Sequence, residues 1–525
     1  MIFDLDRDSI PPDISAHVCI VGAGAAGIVL AAQLIRQGKR VLLLESGGMV
    51  AEPAAQALND SAYTGQPHQG ANPGRFRVLG GTTTVWGGQI LEFDDADFVA
   101  RPWIPGSGWP FSKAELQPYY DRALQSEGLS GALQSDSDIW RRMNIHPPNL
   151  GEEFTAYFTR WCPEPDFGRL YRELLRSPNL SVILHATATA MRLAEDGRGV
   201  RGIECRSLSG KQRTFSADRY VLSLGAIESV RFLLQPLPGG QTPSWNQGGM
   251  LGRHFHSHID INTASIPAQD AFRLRRWFAT AFLDGIKYHP KFRLNFSQQM
   301  REQILNIGGS ITCINPAEAE LRRLKALARN FLQRRHWTVR WHDLPAAWRQ
   351  LPTLFQLAYR YRVEGRAAWP ANSFFWLRAY CEQEPLSASR ISLINQRDAV
   401  GMFRAQLDWR ISPLEWKTIR YFTEAVQQNF ARLGLANLAP RAELTQADGF
   451  RNIVLDDSHH HMGGARMASS SSGGVVNANL QLHGVDNAFL CSAAVFSCSG
   501  FSNPTHTLIA LALRLADQLK GNPRA

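Results

Sequence analysis

The run His17-Val-Cys-Ile-Val21 leading directly into Gly22-Ala-Gly24-Ala25-Ala26-Gly27 constrains this chain more than any other feature. Four apolar residues in five read as a buried strand. The glycines that follow sit at the spacing of a dinucleotide-binding turn, and an Ala/Leu/Ile-rich stretch to Gln37-Gly38 reads as a helix. A second strand, Arg40-Val-Leu-Leu-Leu-Glu45, closes on an acid 23 residues after Gly22. Each residue type has a physical reason. Gly22 permits the tight turn, Gly24 lets backbone approach a pyrophosphate, and Gly27 lets the helix lie close to the strand. The start of the helix, at Ala25 and Ala26, presents free N–H groups to negative charge. Glu45 can accept both hydroxyl hydrogens of an adenosine ribose. An α/β fold built on a Rossmann-like unit follows, whereas a glycine-rich turn without a ligand would not require the acid.

A chain of 525 residues, 44% apolar and 19% charged, is large enough for two joined domains around substantial cores. No basic region followed by an apolar run opens it, and no stretch reaches the roughly 20 apolar residues of a bilayer span. The seven cysteines are scattered without a Cys-x-x-Cys pair, which favours buried thiols in a reducing compartment. The expected location is therefore cytoplasmic. The net charge of +10 is concentrated in residues 318–366, where eleven basic side chains face four acidic ones. That is a local feature and does not indicate nucleic-acid binding. Trp337, Trp341, Trp348, Phe331 and Phe355 interleave with it, which leaves three readings: a solvated helical insertion, a dock for a membrane surface or partner, or steering of an anionic substrate.

The loop alone does not choose between FAD and NAD. Residues 75–90 read Arg-Phe-Arg-Val-Leu-Gly80-Gly81-Thr82-Thr83-Thr84-Val85-Trp86-Gly87-Gly88-Gln-Ile, paired glycines around small hydroxyl residues. Such a backbone can lie against a flat ring. Further on, Asn179–His185 reads as a strand, residues 200–206 and 213–216 as short strands about Ser209-Gly210-Lys211, and Arg219-Tyr-Val-Leu-Ser-Leu-Gly225-Ala226-Ile227-Glu228 as strand into helix. Residues 372–395 are rich in aromatic and β-branched residues about Glu384-Pro385, so antiparallel strands are expected there.

Two carboxy-terminal motifs remain. Ser458-His459-His460-His461-Met-Gly463-Gly464-Ala-Arg466-Met467 carries three adjacent histidines with no supporting ligand spacing for a metal. Ser499-Gly-Phe-Ser-Asn503-Pro504-Thr505-His506-Thr507 opens a helix to about Lys520; Pro504 suits a first turn, and Asn503 suits a cap.

With these residues the chain resembles the glucose–methanol–choline (GMC) oxidoreductases over most of residues 14–520, and is closest in motifs to sugar-oxidising, pyranose- and fructose-type members. The resemblance implies an α/β protein, α+β overall. Its discontinuous FAD-binding domain would comprise 14–90, 178–260 and 450–525. A substrate domain on an antiparallel sheet would comprise 91–177 and 261–449, with the basic insertion 318–366. It implies FAD contacts at Gly22, Gly24, Ala25, Ala26, Gly27, Glu45, Gly80, Gly81, Thr82, Thr84, Val85, Val182, Ala226, Pro504 and Thr505, with Val182 or its neighbour meeting adenine through its backbone. Val85 stands where some members carry a flavin-linking histidine, so the FAD is expected to be non-covalent. His460 would be the general base and Asn503 its partner. An alcohol CH–OH, on a sugar, glycoside, cyclitol, polyol or a non-carbohydrate alcohol, would pass hydride to flavin N5. The electron acceptor, whether oxygen, a quinone or a protein, is left open. An NAD-dependent dehydrogenase would leave the carboxy-terminal motifs unexplained, and a non-catalytic surface module has only the basic stretch in its favour.

Overall fold

The computed structural model describes residues 1–12, 14–133, 135–316, 351–370, 372–446, 453 and 455–521. Most of the basic insertion, residues 317–350, lies outside them; its final helix, Leu351–Arg362, lies within.

Six parallel strands form the first sheet, in the order Ile2–Asp4, Leu180–Leu184, Val41–Leu44, Val18–Val21, Arg219–Leu222 and Ala488–Leu490. Their inner members are short and apolar because helices or other layers cover both faces, as parallel sheets require. Helix Ala25–Arg36 packs on this sheet and against helix Pro504–Gln518, so the two ends of the sequence share one core. The edge strand Ile2–Asp4 was not anticipated; three residues of mixed polarity leave no periodic signal.

The second large sheet is antiparallel and has eight strands. Its main path runs Ala439–Pro440, Ile259–Ile266, Phe374–Cys381, Ile307–Ile314, Ile286–Leu294, Phe154–Trp161 and Gln89–Ile90. Helix Pro413–Arg432 covers one face. Ser412 and Glu415 cap it reciprocally, Pro413 fills its first turn, and Ile419, Phe422, Val426 and Phe430 recur at helical spacing on its buried side. Gly309 makes room for it, since a Cβ there would lie 2.8 Å from the Phe422 ring.

Residues 372–395 supply antiparallel strands, as expected, but to two different sheets: Phe374–Cys381 belongs to the eight-stranded sheet, and Arg390–Arg397 pairs with Phe403–Trp409, which runs parallel to Ala62–Gly65. The link between them is pinned open. Glu382 is locked by both guanidinium nitrogens of Arg101 at 2.7 and 2.5 Å, and the Gln383 side chain accepts from Ser257 N and Trp409 Nε1. Gln89–Ile90 joins the antiparallel sheet, while Phe403–Trp409 pairs with Ala62–Gly65.

Candidate active site

A cavity of about 730 Å³ runs between the two sheets. Val21, Gly22, Gly24, Ala25 and Ala26 line one stretch, Glu45 and Ala186–Ala188 another, and Gly81, Thr82, Val85, His460, Asn503, Pro504 and Thr505 the far end. The glycines have distinct environments. A Cβ on Gly27 would lie 2.0 Å from the Gly22 carbonyl oxygen, which fixes how closely helix meets strand, whereas Gly24 has nothing within 4 Å of that point and opens to the cavity. Gly80 and Gly81 both take positive φ, and a Cβ on Gly81 would lie 2.9 Å from Gly24 Cα. Helix Ala25–Arg36 starts without a side-chain cap or an acid in its first turn, so its N–H groups are free for an anion. Helix Pro504–Gln518 starts the same way. The Ser223 hydroxyl lines the cavity, buried and without a hydrogen-bond partner among the described residues.

Glu45 accepts from Ala23 N and Gly47 N, both at 2.9 Å, and so also braces the glycine loop. Burial pushes its carboxyl upward, and those amides and Arg77 oppose the shift. Glu228, on the cavity wall after Ala226, is likewise penalised by burial, but the guanidiniums of Arg231, Arg77 and Arg75 outweigh this and hold it at about 2. The adenine-side assignment of Val182 is corrected. Val182 is buried in mid-strand between Ile2 and Leu43, and the cavity is lined instead by Ala186–Ala188, just past the carboxyl end of that strand. Gly27, Gly80 and Thr84 do not line it either; Thr84 donates to the Gly81 carbonyl at 2.9 Å, within the turn.

The three histidines diverge. Asp457 organises their turn by accepting from His459 N and Gly70 N at 2.9 Å and meeting His68 Nδ1 at 2.9 Å. His461 lies beside His68, ring centroids 5.1 Å apart, and His459 has left-handed backbone. All three border the large cavity, and His460 is the one bonded to both Asn503 and His258. Its Nε2 is 3.1 Å from Asn503 Nδ2, and its Nδ1 is 2.8 Å from Nδ1 of His258. Asn503 makes no side-chain cap to its helix, so its amide serves His460. His506, one turn in, is buried against Glu127 at 2.7 Å and stacked on Tyr120.

His258 was not anticipated; it lies just before strand Ile259–Ile266, in a segment that begins with left-handed backbone at His254 and carries no periodic signal. It sets the tautomer of the pair. Its Nε2 lies 3.1 Å from the Ser499 carbonyl, which can only accept, so Nε2 carries hydrogen. Burial lowers the His258 pKa to about 4, so the ring is neutral and its Nδ1 is an acceptor. His460 must then donate from Nδ1. Burial, with His258 and Lys291 nearby, also holds His460 well below the ordinary histidine range, so its Nε2 carries no hydrogen and accepts from the Asn503 amide at 3.1 Å.

Next to this pair opens a second, polar cavity of about 310 Å³, shared by His258, His460, Asn503, Gln89 and Phe501 with Asp260, Lys291, Arg378, Tyr380 and Asp456.

Comparison with known proteins agrees with this architecture. Residues 385–512 match the family model described as GMC oxidoreductase, and residues 20–55 one described as an NAD(P)-binding Rossmann-like domain. Among curated relatives, paromamine 6'-oxidase of Streptomyces fradiae is 26% identical over 318 residues, half of this chain and 58% of that protein. 2-Methyl-1,2-propanediol dehydrogenase of Mycolicibacterium austroafricanum is 24% identical, covering 47% of this chain and 56% of that protein. The chain thus spans little more than half the length of these curated relatives. Among solved structures, pyridoxine 4-oxidase from Mesorbium loti superimposes over 96% of this chain and 99% of its own, with 17% identity and a TM-score of 0.56. A fungal aryl-alcohol oxidase superimposes equally well, at 14% identity and a TM-score of 0.56 over 97% of this chain and 99% of its own. The free helix starts, the glycine cradle and the unpartnered Ser223 hydroxyl all fit FAD.

Proposed function

We propose that this chain acts as a GMC-type oxidoreductase and oxidises the CH–OH carbon of a sugar, glycoside, cyclitol or polyol to a carbonyl, with FAD as its cofactor; the match of residues 385–512 to the GMC oxidoreductase model supports it. The observation that carries this reading is the unprotonated Nε2 of His460 held beside the Asn503 amide where the two cavities meet.

FAD, held by residues of the glycine loop, Glu45, the 81–85 turn and the helix start at Pro504, supplies the two-electron acceptor. The protein's own residues do the rest. His460 Nε2 takes the hydroxyl proton, a transfer suited to a neutral imidazole. The Asn503 amide, which donates to His460 Nε2 in this structure, would donate instead to the same oxygen and so orient it. His258 holds the His460 ring through the Nδ1–Nδ1 bond, and the Ser499 carbonyl holds His258. Once His460 is protonated its positive charge stays in place, because its second N–H is already committed to His258. The uncapped start of helix Pro504–Gln518 adds positive potential at this end of the cavity.

A polar substrate is supported by the charged wall beyond His460 and by the name of the paromamine relative. The 2-methyl-1,2-propanediol dehydrogenase likeness supports a second reading, a small non-carbohydrate alcohol. Anaerobic flavin reduction against sugars, glycosides, cyclitols and simple alcohols separates them, and bleaching by none of these classes removes the proposal. FAD is held non-covalently in this reading, since Val85 offers no nucleophile to the cavity; acid precipitation should release the yellow colour into the supernatant.

No helix among the described residues is long and apolar enough to cross a membrane. A surface dock at the end of the basic segment is supported by Phe355, Tyr359 and Val363, exposed at intervals of four along one side of Leu351–Arg362 and its extension. Beside them a groove carries Arg273, Arg275, Arg276 and Arg360 with Trp277. Anionic headgroups suit that combination. Flotation with anionic liposomes tests it; recovery of no protein with the vesicles at low salt removes it.

A further inference from the structure

The wall of the 310 Å³ cavity opposite His460 is not used by the proton transfer described above. Arg378 of strand Phe374–Cys381 is bidentate to Asp260 of strand Ile259–Ile266, Nε to Oδ1 at 2.5 Å and Nη2 to Oδ2 at 2.6 Å, and its Nη2 also reaches Asp456 at 3.2 Å. Arg378 offsets one of these two carboxylates, and Asp260 also attracts Lys291 without touching it. Lys291, from strand Ile286–Leu294, does not join them. Among the described residues it makes no ion pair and no hydrogen bond. Its Nζ sits 3.8 Å over the Tyr380 ring, and the residue is only 5% exposed.

A lysine ammonium has three N–H donors, and withdrawing it from water without an acceptor is costly. The aromatic face compensates only in part. Burial accordingly lowers its pKa to about 7, with Asp260 resisting the shift. A lysine nine-tenths buried, with no direct ion pair among the described residues and lining the cavity into which His460 and Asn503 also project, can receive an anion, which would favour its charged form. Its complement is an anionic oxygen group on the molecule that presents its carbinol to His460.

We propose that Lys291 determines specificity by receiving an anionic oxygen group, a carboxylate or a phosphate monoester, on a polyhydroxylated substrate. The substrate class is thereby narrowed to acidic polyols and sugar acids. This inference rests on the alcohol-oxidation reading only for the word substrate; the binding it asserts is measurable without turnover.

Calorimetric titration of the FAD-loaded chain carrying His460→Ala, which holds turnover back, tests it with three polyols of similar shape: D-gluconate, sorbitol 6-phosphate and neutral sorbitol. At least one acid should bind about 10- to 100-fold more tightly than sorbitol, the range of a hydrogen bond to a charged group. Tighter binding of gluconate assigns a carboxylate, and tighter binding of sorbitol 6-phosphate assigns a phosphate. Lys291→Met should erase the preference and Lys291→Arg should retain it. Equal binding of acids and sorbitol, no binding of either acid, or a preference that survives in Lys291→Met would each overturn the proposal. Flavin reduction by neutral polyols in the unmutated chain, alongside equal binding, would keep the oxidation reading and discard this one.

Discussion

His258 and His460 meet through their Nδ1 atoms at 2.8 Å, and the ring plane of one stands at 81° to that of the other. The Ser499 carbonyl behind His258 gives this contact a direction, since hydrogen must run from His460 to His258. The consequence is a base whose free nitrogen is chosen by a residue 202 positions away in sequence.

His460→Ala should therefore lower the anaerobic flavin-reduction rate by roughly 10²–10⁴-fold, as expected for a lost general base. His258→Ala, which leaves FAD contacts intact, should lower it by a smaller factor, about 10-fold, and should move the acid limb of its pH profile because the tautomer is no longer imposed. His461→Ala should do neither. Stopped-flow absorbance of the flavin band measures all three, and a large effect confined to His461 would refute the assignment.

Asn503→Ala should slow reduction by about 10- to 100-fold, the range of one charge-assisted hydrogen bond. Because the Asn503 side chain does not cap its helix, stability should change by less than about 0.5 kcal/mol. Urea unfolding alongside the kinetic measurement distinguishes this from a capping role, which would shift stability and spare the rate.

Acid should unfold the protein over a defined window. Burial lowers His256 to about 3, His258 to about 4 and His289 to about 3, against about 6.5 in an unfolded chain. Between those values the unfolded state binds the protons and the folded state does not, so stability rises with pH there and falls as pH drops below about 6.5. Each such group contributes a slope of up to about 1.4 kcal/mol per pH unit. Urea midpoints from pH 7.5 to 4.5 should be flat at first and then fall; a midpoint unchanged to pH 4.5 would show that these rings charge without unfolding.

Arg101→Ala should cost about 3–5 kcal/mol, because it strands the Glu382 carboxylate in a site with no side-chain exposure on either partner. The joint replacement Arg101→Met with Glu382→Leu should cost much less. Equal losses in the two variants, measured by urea unfolding, would mean that the pair acts through shape and not through charge.

The features legible in the sequence were those carried by contiguous residues. The glycine turn with Glu45, and the segments around His460 and Asn503, each announce themselves within ten to thirty residues, since their spacing is set by local backbone geometry. His258 and Lys291 were hidden because their meaning arises only when distant strands converge. Val182 was displaced for a related reason: a strand's side chains are readable in sequence, but the point where it emerges toward a ligand depends on its neighbours, here at Ala186–Ala188. Around Glu384-Pro385 turn-forming composition was present, yet Arg101 and Trp409, far away in sequence, decide that the chain crosses between sheets.

The joining of helix Ala25–Arg36 to helix Pro504–Gln518 sets a schedule for biosynthesis. The helix that completes the cavity of the glycine loop is made about 480 residues after it. At about 5–20 residues per second the interval is roughly 25–100 s. For that time the first βαβ unit has neither its sixth strand nor the helix that packs against its own, and it exposes apolar surface that the finished core conceals. Cofactor capture is therefore a post-translational event for this chain, and nascent chains stalled before Ala488 should be clients of holding chaperones that release them only after the carboxy-terminal segment has emerged.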